Sequence, residues 1–102
     1  MNPEPDNIHP IIDRIAEIVR REMRENYRLF LFGSRAGDGH DSKADIDIGI
    51  IAEKPVEAKN MVKIKERLDQ IPTLLKIDFV DFASVNCDFR KIAMQKTKDI
   101  NS

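Results

Sequence analysis

Ile11, Ile12, Ile15, Ile18, Val19 and Met23 recur at steps of three and four, with Arg14, Glu17, Arg20 and Glu22 between them. That period predicts an amphipathic helix of about four turns after Pro10. Arg28 to Gly33 is almost continuously apolar and too short for a helix, so it predicts a central strand covered on both faces. The stretch from Gly33 to Ala44, rich in Gly, Ser and Asp, predicts a loop with one helical turn after Ser34. Next comes strict alternation. In Asp45-Ile46-Asp47-Ile48-Gly49-Ile50 the three isoleucines share one face of a strand, and Asp45, Asp47 and Gly49 share the other.

From Pro55, suited to a first helical turn, Ala58, Met61, Ile64, Leu68 and Ile71 form a second helical stripe that ends at Pro72. A third strand is expected over Leu75 to Phe82. Asn86 suits the N-cap of a last helix with Phe89, Ile92 and Ala93 at its core positions, and the polar tail from Lys96 to Ser102 is expected to fray. The order helix, strand, strand, helix, strand, helix implies an α/β (α+β) domain with a small mixed sheet. The two strands around the glycine loop would be antiparallel neighbours, and the 55–71 helix has the length of a right-handed crossover between parallel strands.

Composition narrows the function classes. A chain of 102 residues is expected to form one domain, with an ordered core over about residues 8–95, and leaves little room to hold a large substrate unaided. Seventeen basic against eighteen acidic residues give a net charge of −1, a poor match to nucleic acid as main partner. The lone Cys87 rules out an internal disulfide, fits a reducing, cytoplasmic setting and is expected to be a semi-buried structural thiol. No apolar run approaches membrane-spanning length, so no membrane partner is expected. Leu74 and Met94 lie outside the apolar stripes and are candidates for a homo- or hetero-oligomer interface.

The chemistry concentrates around the glycine loop. Two aspartates at i and i+2 of a strand point the same way, with Cβ atoms roughly 7 Å apart, and can converge on Mg²⁺, which takes a few carboxylate oxygens plus water and substrate phosphates. Two such ions can clamp the attacking and leaving oxygens of a phosphoryl displacement. An Asp-x-Asp pair on its own more often lies on a solvated strand face. The preceding Gly33-Ser34-Arg35 changes the balance: glycine lets backbone amides approach a phosphate, serine donates a hydroxyl, and arginine adds a guanidinium fork. No Gly-Lys-Ser/Thr closes a Walker loop, and Gly33, Gly37 and Gly39 are wrongly spaced for a dinucleotide fingerprint. A third carboxylate is sought on the Leu75–Phe82 strand. Alternation sends Asp78 to the face of Asp45 and Asp47 and favours it, while Asp81, the alternative, shares the core face unless the strand has ended and it caps a turn.

Gly33-Ser34, then Asp45-x-Asp47 ten residues on, then Ile77-Asp78-Phe79-Val80-Asp81-Phe82, resembles the minimal nucleotidyltransferases of the DNA polymerase β superfamily across nearly the whole chain. The resemblance implies a polymerase β-like sheet with helices mainly on one face. It implies that Asp45, Asp47 and Asp78 hold the metals, with Asp78 also the base, and that Gly33 and Ser34 hold the triphosphate. Two departures stand out: Ala44 occupies the place where the family usually has Ser, with Ser42 two residues earlier, and the glycine that often ends the loop motif is displaced to Gly37 and Gly39. Family members of this size commonly accompany HEPN-domain partners and act as antitoxins that nucleotidylate the partner toxin. The function so implied is transfer of AMP from ATP to a hydroxyl of a partner protein. The alternative is a catalytically weak module that neutralises its partner stoichiometrically. Transfer to a small molecule such as an aminoglycoside would require an added acceptor-binding domain.

Overall fold

The computed structural model describes residues 8–37 and 44–100. The displaced Gly39, Ser42 and the polar residues before Ile8 fall outside them. In chain order the elements are α1 (His9–Glu22), β1 (Tyr27–Phe32), a 3₁₀ turn (Gly33–Ala36), β2 (Ile46–Ala52), α2 (Ala58–Asp69), β3 (Ile77–Asp81), α3 (Cys87–Ala93) and β4 (Lys98–Asp99). The sheet order is β3-β2-β1-β4. β1 pairs antiparallel with both β2 and β4, and β2 runs parallel to β3.

The hydrophobic pattern explains the layering. Ile46, Ile48 and Ile50 of β2 are fully buried and, with Leu29, Leu31 and Phe79, meet Ile15, Ile18 and Val19 of α1 and Ile64 and Leu68 of α2. Each such isoleucine contributes about 1.5–3 kcal/mol by leaving water. The opposite face carries a smaller aromatic layer: Phe30, Phe32 and Phe82 are buried there, with Val85, Ala93 and Met94 packed against them. Phe82 stands edge-on to Phe30 and to Phe32, with 5.0 Å between centroids in both pairs. β1 is therefore buried on both faces, as its apolar run predicts.

Gly49 makes the aromatic layer possible. It lies opposite Phe30, and a Cβ at this position would fall 2.5 Å from Phe30 ring carbons and 2.7 Å from Phe82.

Several elements differ from the sequence reading. α2 starts at Ala58 rather than near Pro55, because the Val56 N–H donates to Asp81 Oδ2 at 2.8 Å and holds the chain extended up to Glu57. The Asn86 cap forms as expected, its Oδ1 accepting from the amides of Asp88 and Phe89. The helix it starts buries no residue, however: Phe89 is 43% and Ile92 70% exposed, since seven residues reach only the rim of the aromatic layer. Cys87, in its first turn, is exposed rather than semi-buried. Met94 is half-buried against the phenylalanines and so leaves the list of free apolar residues, whereas Leu74 is fully exposed. The tail does not fray at Lys98 and Asp99, which pair with Leu31 and Phe30. Arg28 secures that pairing, its Nη2 lying 2.8 Å from Asp99 Oδ1 and its guanidinium 5.3 Å above the Phe30 ring.

Gly49→Ala should destabilise the fold by about 1–3 kcal/mol through overpacking against Phe30 and Phe82. Urea denaturation measures this directly, and an unchanged midpoint would show that the aromatic layer has slack at this point.

Candidate active site

The two strand carboxylates meet because of register. In the parallel β2–β3 pair Asp47 lies directly beside Asp78, both on the face opposite the isoleucines. Neighbouring strands are about 4.8 Å apart, so the carboxyl groups are forced into each other's company. Burial pushes the Asp47 carboxyl above the usual carboxylate range. The negative charges of Asp78 and then Asp45 add to the shift, as does a hydrogen bond with Asp78, while Lys76 opposes it. Lys76 Nζ lies 3.7 Å from Asp78 Oδ1.

The glycine turn closes on the same point. Gly33 has φ +71°, in the left-handed region, and a Cβ here would overlap Asp47 Oδ2 and lie 3.4 Å from Asp47 Cγ. Only glycine satisfies both constraints. No side chain caps the start of the 3₁₀ turn, and Gly33 and Ser34 are exposed beside the carboxylates.

Arg35 behaves differently from the expectation of an outward guanidinium fork. It is 4% exposed, and its Nε donates to the Ala44 carbonyl oxygen at 2.8 Å. The guanidinium ties the turn to the residue just before Asp45. It acts on the site through that backbone.

Asp81 belongs to the scaffold. It is buried at the end of β3, where it accepts from the amides of Val56 and Ala83 and from the Ser84 hydroxyl. The structure thus brings Gly33, Asp47 and Asp78 together and leaves Asp81 apart. Asp45, one residue before β2, is exposed. Among the described residues no three His, Cys, Asp or Glu side chains converge closely enough to hold an ion by themselves. A groove of about 750 Å³ runs from Asp47 and Asp78 around the β3 edge to Leu75 and Lys65. A smaller hollow of about 320 Å³ lies on the other side of Gly33, walled by Phe32, Phe89, Ile92, Ala93 and Lys96. Composition and periodicity did not single out Lys96; its signal is the short β4 pairing that follows it.

Among the described residues no helix is long and apolar enough to cross a membrane.

The Asp47 shift fixes the sign of a pH effect. A carboxyl whose folded pKa is raised favours folding in its protonated form, so stability falls as pH rises from the ordinary value of 3.8 through the raised one, and the full penalty persists above it. Asp47→Asn should therefore be more stable than the parent at neutral pH in metal-free buffer, by roughly 0.5 kcal/mol once solvent screening is allowed for. The difference should vanish in acid below the ordinary carboxyl pKa. Thermal melts of both proteins across pH check this, and a variant less stable at pH 7 would overturn the reading of mutual repulsion.

Comparison with known proteins agrees with the geometry. A probable protein adenylyltransferase, MntA, of Haemophilus influenzae is 27% identical over 78 residues, covering 76% of this chain and 68% of that protein. Two solved structures share the fold. One is a chain of the tri-AMPylated HEPN toxin of Shewanella oneidensis in complex with MNT antitoxin, with TM-score 0.69, 18% identity and coverage of 91% of this chain and 71% of that one. The other is a chain of a toxin–antitoxin crystal structure with AMP-PNP, with TM-score 0.70, 21% identity and coverage of 89% and 73%. Residues 13–102 match the family described as Polymerase beta, Nucleotidyltransferase, and the chain belongs to that family.

Proposed function

We propose that this protein transfers AMP from ATP to a hydroxyl of a HEPN-domain partner, as the antitoxin of a toxin–antitoxin pair. The observation that carries the proposal is the Asp47–Asp78 pair, held together by strand register at the foot of a glycine turn that admits no side chain. The relative named as a protein adenylyltransferase and the similar fold found beside an AMPylated HEPN toxin support the choice of nucleotide and acceptor. ATP as the proposed donor suits a cytoplasmic setting.

The chemistry follows from the residues. The acceptor oxygen attacks the α-phosphorus, a new P–O bond forms, and the bond to the bridging oxygen breaks so that pyrophosphate leaves. Asp78, half-exposed beside the groove, takes the proton from the attacking hydroxyl. Gly33 and Ser34 bring backbone amides and a hydroxyl to the phosphates. Adjacent carboxylates that repel each other, one of them raised in pKa, suit a divalent cation, and Mg²⁺ completes its shell with water and phosphate oxygens. Asp47, Asp78 and Asp45 would hold such ions, two with bound nucleotide, which would neutralise charge on the α-phosphate and the leaving group.

A second reading has one observation in its favour: Asp45 does not converge with the pair among the described residues, as a weak catalyst that neutralises its partner by capture would allow. An Asp45→Ala/Asp47→Ala variant would then still neutralise the partner.

The direct test incubates the protein with its all-helical HEPN partner, Mg²⁺ and ATP labelled at the α- or γ-phosphate. Label should reach the partner from the α-position only, and chelation by EDTA should abolish transfer. Asp47→Asn and Asp78→Asn should each lower the rate by about a hundred-fold or more. Failure of the parent to transfer from any nucleotide would sink the enzymatic reading.

A further inference from the structure

The inward turn of Arg35 leaves the glycine turn without the cation that the sequence places there. Two nearby positive groups are committed, Lys76 to Asp78 and Arg35 to the Ala44 carbonyl, and Lys65 lies in the groove on the carboxylate side. β4 supplies a different one. Its pairing sets Lys98 opposite Leu31 and Asp99 opposite Phe30. Continued by two places, that register sets Lys96 opposite Gly33. The side chain follows the register. Lys96 shares the walls of the small hollow with Gly33, and its Cδ, Cε and Nζ lie across Gly37, where a Cβ would collide with them. Among the described residues Lys96 makes no ion pair. Its stem thus packs along the turn that follows the phosphate-approaching glycine, and its charge meets no acid among the described residues.

We propose that Lys96 binds the β- and γ-phosphates of the nucleotide, so that β4 carries a substrate-binding residue to the glycine turn. The inference rests on the transfer reading above. An ammonium is a compact point charge with three donors on a flexible stem, suited to a triphosphate tail whose oxygens shift as pyrophosphate departs. Lys96 therefore governs the preference for a triphosphate over a monophosphate and leaves contacts with the α-phosphate to the turn and the carboxylates.

The test compares binding of AMP-PNP and of AMP, each with Mg²⁺, to the full-length parent, Lys96→Ala and Lys96→Arg by calorimetry. Lys96→Ala should lose about ten-fold in affinity for AMP-PNP, the size of one charge-assisted hydrogen bond, with AMP affinity and thermal midpoint unchanged. Lys96→Arg, which keeps the charge, should stay within about three-fold of the parent. Unchanged AMP-PNP binding by Lys96→Ala would overturn the proposal and leave the transfer reading standing. A parallel loss of AMP-PNP and AMP would also overturn it, by reducing Lys96 to a structural anchor of β4. A parent that binds no AMP-PNP would remove the transfer reading itself.

Discussion

The site depends on an arrangement its own charges resist. Asp47 and Asp78 sit side by side because Ile46, Ile48 and Ile50 must face α1 and α2, and because the parallel register then leaves no other place for the alternate residues. Shifting either strand by one residue would turn a buried isoleucine face to water and drag aspartates into the core. Several kcal/mol of apolar burial outweigh a carboxylate repulsion that solvent partly screens. The hydrophobic effect thus sets the geometry, and electrostatics inherits it. A cation between the two carboxylates would turn the unfavourable contact into a favourable one.

The opposite layer has a related logic. Phe30, Phe32 and Phe82 cover the rest of the sheet face that carries Asp47 and Asp78, and Gly49 lets the rings of Phe30 and Phe82 come down onto the backbone of β2. Asp81 looks like a member of the charged set in the sequence, yet its oxygens are spent on the amides of Val56 and Ala83 and on Ser84. It fixes both the start of α2 and the turn after β3. One aspartate of the Asp-x-x-Asp segment is therefore a scaffold and the other faces solvent, and the parity of the strand separates them.

That parity is why so much was legible. Alternation in Asp45–Ile50 and in Ile77–Asp81 fixes which side chains share a face, and a glycine at the end of an apolar run marks a backbone turn. The same rules place Asp78, rather than Asp81, beside Asp47. What escaped the sequence is long-range or marginal. β4 is two residues long, polar and exposed, and exists only because β1 offers a free edge and Arg28 grips Asp99. The solvated edge of α3 reflects its shortness, which periodicity does not reveal. Arg35, beside a glycine turn, reads in the sequence as an anion contact; its burial depends on where the chain returns at Ala44, nine residues on, which no local pattern encodes.

That return also changes the meaning of the departure at Ala44. The family's usual serine would offer a hydroxyl there, whereas here the side chain is a methyl group and the backbone carbonyl is what matters, as the acceptor for Arg35 Nε. A buried guanidinium makes a stiff, planar connection, so the glycine turn and the start of β2 are joined from both sides: by Arg35 to Ala44, and by the absence of any side chain between Gly33 and Asp47. The amides of the glycine turn and the carboxylates beside them are then held in one geometry. Precision at the reacting centre comes from that coupling rather than from the individual contacts, since a displacement of even 1 Å between the two halves is of the size that costs about a hundred-fold in rate. The motif Gly-Ser-Arg is in this chain one functional unit with two directions, the first two residues facing outward and the third holding them in place from behind.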